Sequence, residues 1–113
     1  MSDTKARTVS KMLTTSTATL YTVPPRYISD VRSILIANEL PHSVAVSLSR
    51  YDAIEDTYHT LLNAVEIKGN SVIQISQTPL YLQIDELIRG SCDYNSAVTV
   101  TFAVEETRSF ARG

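Results

Sequence analysis

Residues Ser43–Tyr51 read SVAVSLSRY, and their pattern decides the fold class. Val44, Val46 and Leu48 alternate with Ser43, Ala45, Ser47 and Ser49. A period of two is that of a β-strand with one face in a core and the other solvated or lightly covered. The period returns in SAVTVTFAVEE, residues 96–106, where Val98, Val100, Phe102 and Val104 alternate with Thr99, Thr101 and Ala103. This is read as the closing strand.

Working outward, TYHTLLNAVEI (57–67) fits a short helix through Leu61, Leu62, Val65 and Ile67, but its Thr and Tyr content favours a strand. The turn residues Lys68-Gly69-Asn70 predict that it runs into NSVIQIS as a hairpin. Pro79 then opens PLYLQI, Asp85-Glu86 turns the chain, and LIRGSC makes a further short strand. Upstream, TATLYTV reads as a strand that Pro24-Pro25 must end, since neither proline can donate to a ladder. About eight strands, with no convincing helix and no internal repeat, predict an all-β antiparallel β-sandwich or jelly-roll-like barrel over residues 15–107. Residues 1–14 have no period and are rich in Ser, Thr and Lys, so they are expected to be a flexible basic arm; 108–113 are expected to be a tail.

Tyr27–Asn38, YISDVRSILIAN, is harder to place. Strict alternation puts Val31, Leu35 and Ala37 with the serines on one face, and Ile28, Ile34 and Ile36 beside Asp30 and Arg32 on the other. Both faces are then partly apolar, whereas a two-layer sandwich leaves its outer faces wet. Scattered surface isoleucines would need no explanation. The sharper expectation is that Ile28, Ile34 and Ile36 form an outer face that packs on another subunit.

The 113 residues are 43% hydrophobic and 19% charged, a composition suited to one folded domain. No apolar run reaches the ~18 residues of a membrane-spanning helix. MSDTKARTVSKML lacks the apolar centre of a signal peptide, so synthesis in a cytoplasm is expected. A net charge of −2 argues against a nucleic-acid partner. Charge is uneven, however: Lys5, Arg7 and Lys11 make the first residues basic, while the body is acidic. Such an arm could dock on a neighbouring copy.

Little in the sequence suggests chemistry. Cys92 stands alone, which excludes an internal disulfide, and neither His42 nor His59 has the clustered partners of a zinc site. YDAIEDTYH (51–59) gathers Asp52, Glu55, Asp56 and His59, yet it lacks the glycine and alternating oxygen ligands of a calcium loop and is read as a solvated hairpin tip. Three glycines cannot build a phosphate loop. No catalytic residue, metal or cofactor is therefore expected. A carbohydrate-binding sandwich is a rival from another class. It would need an aromatic platform, and with no Trp this falls to Tyr21, Tyr27, Tyr51, Tyr58, Tyr81 and Tyr94, two or three of them on one exposed face.

The succession TATLYTVP, VRSILIAN, VAVSL, ISQTPLYL and AVTVTFAVEE resembles the layout of a group of small bacteriophage virion proteins. That layout has a T-x-x-L/V-Y-T-V-P opening, an aliphatic strand ending in I-A-N, a T-P-L-x-L element and a final V-T-V strand. The sequence departs from it in two turns, at Pro25-Arg26 and at Gln83–Glu86, where the group has a small residue with glycine and an A-G-D turn. The resemblance implies a virion structural protein, without enzymatic activity, that is assembled in many copies in the host cytoplasm. The first expectation is a capsid decoration (cement) protein, partnered by copies of itself, for instance as a trimer, and by the major capsid protein. A neck or tail position is the alternative. Neither a membrane nor a nucleic acid is expected as partner.

Overall fold

The computed structural model describes residues 4–75, 80–95 and 98–108, and these contain nine strands and no helix. They are β1 (Thr4–Met12), β2 (Ala18–Thr22), β3 (Tyr27–Asn38), β4 (Val44–Asp52), β5 (Thr57–Ile67), β6 (Ser71–Ile75), β7 (Leu80–Leu82), β8 (Leu87–Cys92) and β9 (Val98–Arg108). One sheet has the order β1-β9-β3-β6 with β7 also on β3, and the other β2-β8-β4-β5. All pairings are antiparallel.

This order has a simple origin. β6 and β7 pair with successive parts of β3, so they act as one interrupted strand. The chain then pairs from its ends inward, β1 with β9, β2 with β8, β3 with β6 and β7, and β4 with β5. Rolling that long hairpin brings β9 beside β3 and β8 beside β4. The result is a jelly roll, the architecture in which two Greek keys close a sandwich.

The alternating stretches supply the core. Val44, Val46 and Leu48 of β4, and Val98, Val100, Phe102 and Val104 of β9, are all buried. Each such side chain contributes about 1.5–3 kcal/mol through the area it removes from water. Gly90 of β8 is crowded by its own sheet neighbours β4 and β2, because a Cβ there would stand 2.5 Å from Leu48 Cδ2, 2.7 Å from the Ser47 carbonyl oxygen and 3.1 Å from Leu20 Cδ1.

The puzzle of β3 is resolved by a bulge. Val31 pairs with Val104 and Ser33 with Ala103, which leaves Arg32 as an extra residue opposite no partner. One inserted residue reverses which side chains face inward beyond it. Val31, Ile34 and Ile36 therefore share the core face although their numbers change parity. The expected outer face of Ile28, Ile34 and Ile36 is thus corrected: Ile34 and Ile36 are 7% and 0% exposed, and only Ile28 lies outside.

Two further expectations change. Residues 57–67 are indeed a strand, but β5 does not form a hairpin with β6. The 68–70 turn carries the chain from one sheet to the other, where β6 joins β3. Asn38, the last residue of the I-A-N element, holds this corner. Its Nδ2 lies 2.9, 3.0 and 3.2 Å from the carbonyls of His42, Ile67 and Lys68, and its Oδ1 accepts the Leu40 N–H at 3.0 Å. Gly69 is obligatory beside it, since a Cβ would fall 2.4 Å from the Pro41 carbonyl carbon.

The expected arm is also corrected over much of its length. Thr4–Met12 form an edge strand along β9, and Leu13 is a core residue at 1% exposure whose N–H donates to Val98. A basic, polar stretch can join a sheet because edge strands tolerate charge and β9 offers a full row of backbone partners. At the other end β9 includes Arg108, and 109–113 lie outside the described residues.

Candidate functional site

Two surfaces hold the side chains that sequence reasoning selected. The first is the edge formed by β1. Directly opposed residues of an antiparallel pair share a face. Because Lys5 opposes Glu106, Arg7 opposes Val104 and Lys11 opposes Val100, all three cations lie on the core-facing side of the sheet. There the sandwich is open, and Arg7, Val9 and Lys11 face Thr19–Thr22 across a cleft of about 240 Å³.

Glu106, at 0% exposure, is bonded to two residues that line this cleft, Arg7 and Tyr21. Arg7 Nη1 donates to both carboxylate oxygens at 3.1 and 3.4 Å, Lys5 Nζ stands 3.8 Å away, and the Tyr21 hydroxyl lies 2.6 Å from Glu106 Oε2 and 2.6 Å from Ser29 Oγ. Burial, followed by the hydrogen bond to Glu106, pushes the Tyr21 phenol well above the usual tyrosine value. Lys5 also lies 4.8 Å from the centre of the Tyr27 ring. Lys5 and Arg7 are thus fastened to their own subunit rather than projecting from it. Glu106 was missed because it continues the inward phase of β9 after four apolar residues, a signal that was present in the alternation.

The second surface is the outer face of the β1-β9-β3-β6 sheet. Register places Met12 opposite Thr99, Ile28 opposite Thr107, Val72 opposite Ala37 and Tyr81 opposite Asp30, all pointing away from the core. These four are 54%, 36%, 59% and 63% exposed. Between them the face is floored by Thr99, Thr101 and Ala103. Beside Ile28 and Tyr81, Asp30 and Glu105 line a depression of about 230 Å³, and Arg32 bridges the two carboxylates at 3.3 and 3.4 Å. Of the predicted interface residues, this face keeps Ile28 alone.

The β4–β5 tip is a hairpin, as read. Asp52 accepts the N–H groups of Ile54 and Glu55, and these bonds, that from Glu55 foremost, hold its carboxyl below the usual range. Ligand atoms of Asp52, Glu55 and His59 lie within 4.8 Å of one another, so among the described residues these three are placed to hold a cation. Asp52 and Arg50 are also within 3.9 Å. His42 packs edge-on against Tyr94. The tyrosines are not all scattered, for Tyr51 and Tyr58 are adjacent, with ring centres 5.1 Å apart.

No protein-family model and no curated protein matches this sequence. Solved structures do match its fold. A chain of the acid-stable capsid of Helicobacter pylori bacteriophage KHP30 superposes with a TM-score of 0.56 at 10% identity, over 94% of this chain and 88% of that one. A chain of the T13 viral particle of IBDV gives 0.56 at 9% identity, over 95% of this chain but only 31% of its own length. A chain of the disulfide-linked pili that form Bacillus endospore appendages gives 0.53 at 10% identity, over 94% and 86%. At such identities the likeness is one of fold.

Proposed function

We propose that this protein is a structural component of a bacteriophage virion, and that it decorates the assembled head as a cement protein. The observation that carries the reading is the outer face of the β1-β9-β3-β6 sheet, where Met12 and Val72 stand exposed at one end and Ile28 and Tyr81 at the other, with Thr99, Thr101 and Ala103 along the strand between. Such a face favours association, since covering these side chains removes apolar area from water, while Arg32, Asp30 and Glu105 are already paired with one another. Three considerations support a virion rather than another assembly. The residue layout resembles small phage virion proteins, and the fold is shared with chains from viral particles. The KHP30 chain is also of similar size, since the match covers nearly all of both. Assembly in the manner of the pilus is disfavoured, because the single cysteine, Cys92, is buried and directs its S–H to the Tyr94 carbonyl.

The test is the copy number of this protein relative to the major capsid protein in purified particles. Hundreds of copies support decoration of the head, and tens or fewer place it at the neck or tail. Absence from particles refutes the virion reading. Tyr81→Asp, on the outer face, should fold normally and be depleted from particles.

A further inference from the structure

The outer face of the other sheet carries a groove that assembly through the β1-β9-β3-β6 sheet leaves free. Its centre is Arg89, on β8 between β2 and β4. The guanidinium carbon lies 3.4 Å from the centre of the Tyr58 ring, and Nε donates a long bond, 3.4 Å, to Ser49 Oγ. Among the described residues Arg89 has no carboxylate partner, in contrast to Arg7, Arg32 and Arg50. Its terminal amines are thus free to form the planar fork that matches a carboxylate.

The rest of the groove is largely polar, with Leu48 and Leu62 as its apolar part. Ser47, Ser49, Thr60, Asn63 and Ser91 surround Arg89 in a hollow of about 140 Å³. It exists because β5 is distorted opposite it. While β4 advances from Val46 to Ser49, β5 runs from Val65 to Thr60, so two residues of β5 are extra. Ala64 there adopts φ 49°, which a residue with a Cβ rarely takes, and its displaced N–H is satisfied by Ser47 Oγ at 3.0 Å. A costly backbone geometry that shapes a hollow around an unneutralised arginine points to a ligand.

We infer that this groove binds a carboxylated sugar unit of the uronic or sialic type, with Arg89 on the carboxylate, the Ser, Thr and Asn side chains on the hydroxyls, and Leu62 against the apolar face of the ring. A bare carboxylate would use the arginine but not the surrounding donors and acceptors. A neutral sugar would leave the arginine unpaired.

The test is a titration of the full chain, followed by amide chemical shifts in NMR, with methyl β-D-glucuronide, methyl β-D-glucoside and acetate in parallel. The glucuronide should move the amides of residues 47–49, 60–63 and 89–91 with a Kd of roughly millimolar order, as suits a single sugar. It should bind at least tenfold tighter than the other two. Arg89→Gln should lose that preference, and Arg89→Lys should recover part of it, because an ammonium supplies charge without the fork. Thr60→Ala, which leaves Arg89 in place, should weaken the glucuronide but not acetate, and it provides a second test should Arg89→Gln fold poorly. The inference is overturned if the glucuronide leaves these amides unmoved, if acetate binds as well, which would mark the groove as a receptor for acidic side chains, or if the glucoside binds equally.

Discussion

Arg7 and Glu106 form an ion pair whose two halves are unequally exposed, and this predicts unequal costs for removing them. Glu106 is fully buried, whereas the Arg7 and Lys5 side chains are 45% and 52% exposed. Arg7→Ala would strand the carboxylate in the core with the Tyr21 hydroxyl and a more distant ammonium. Breaking a buried pair from that side costs about 3 kcal/mol or more. Glu106→Gln keeps the shape and an acceptor for Tyr21, and it lets both cations turn to water, so only charge-assisted hydrogen bonds are lost. The cost should be about 1 kcal/mol. In urea unfolding, with a slope of about 2 kcal/mol/M, Arg7→Ala should lower the midpoint by about 1.5 M and Glu106→Gln by about 0.5 M. The double variant should be more stable than Arg7→Ala alone, since the stranded charge is gone. If Glu106→Gln proves as damaging as Arg7→Ala, the carboxylate is not what Arg7 compensates, and the reasoning fails.

Ile36→Asp should prevent folding, as it puts a charge at a fully buried position, while Ile28→Asp should leave the circular dichroism of the sheet unchanged; equal behaviour of the two would contradict the bulge in β3. Ala64→Gly should raise the melting temperature by a few degrees, because relief of the left-handed conformation, about 1–2 kcal/mol, exceeds the added chain entropy. In an alkaline titration followed by tyrosinate absorbance, the Tyr21 phenol should stay protonated in the folded state beyond the ordinary tyrosine pKa of about 10. Because its folded value is raised, its contribution to stability is complete below that pH and declines above it. Ionisation of all six tyrosines before the sheet signal is lost would exclude this.

The parts of the fold that could be read from the sequence are those where one periodicity runs unbroken. From Val44 to Leu48 in β4 and from Val98 to Val104 in β9 every second residue is apolar and buried. β3 defeated the same rule because one inserted residue inverts the phase, and nothing in the letters DVRSI shows whether Arg32 is paired or bulged. Thr4–Met12 looked like an arm because three cations and few apolar residues suit solvent. At the open edge of a sandwich an inward cation can reach both water and a buried carboxylate, and composition does not report that. The outer apolar face was legible only through Ile28, as Met12 and Val72 are far apart in sequence and come into one row, and Tyr81 comes beside Ile28, only through strand register. The same is true of the hollow around Arg89, whose walls come from β4, β5 and β8. Thr78 and Pro79 of the T-P-L element lie outside the described residues.

Pairing from the ends inward dictates the order in which this chain can fold. Asp52 and Thr57 are five residues apart, so the β4–β5 hairpin closes within microseconds of leaving the ribosome. Thr4 must wait for Thr107, and β3 lacks one of its two neighbours until the same strand arrives. For most of synthesis, then, one half of the sandwich is a hairpin in search of its opposite layer, with Val31, Ile34 and Ile36 uncovered. The final strand closes both edges at once, which makes its arrival the slow, aggregation-exposed step expected of a topology dominated by distant contacts. Truncation within β9 should therefore yield an insoluble chain rather than a smaller folded one.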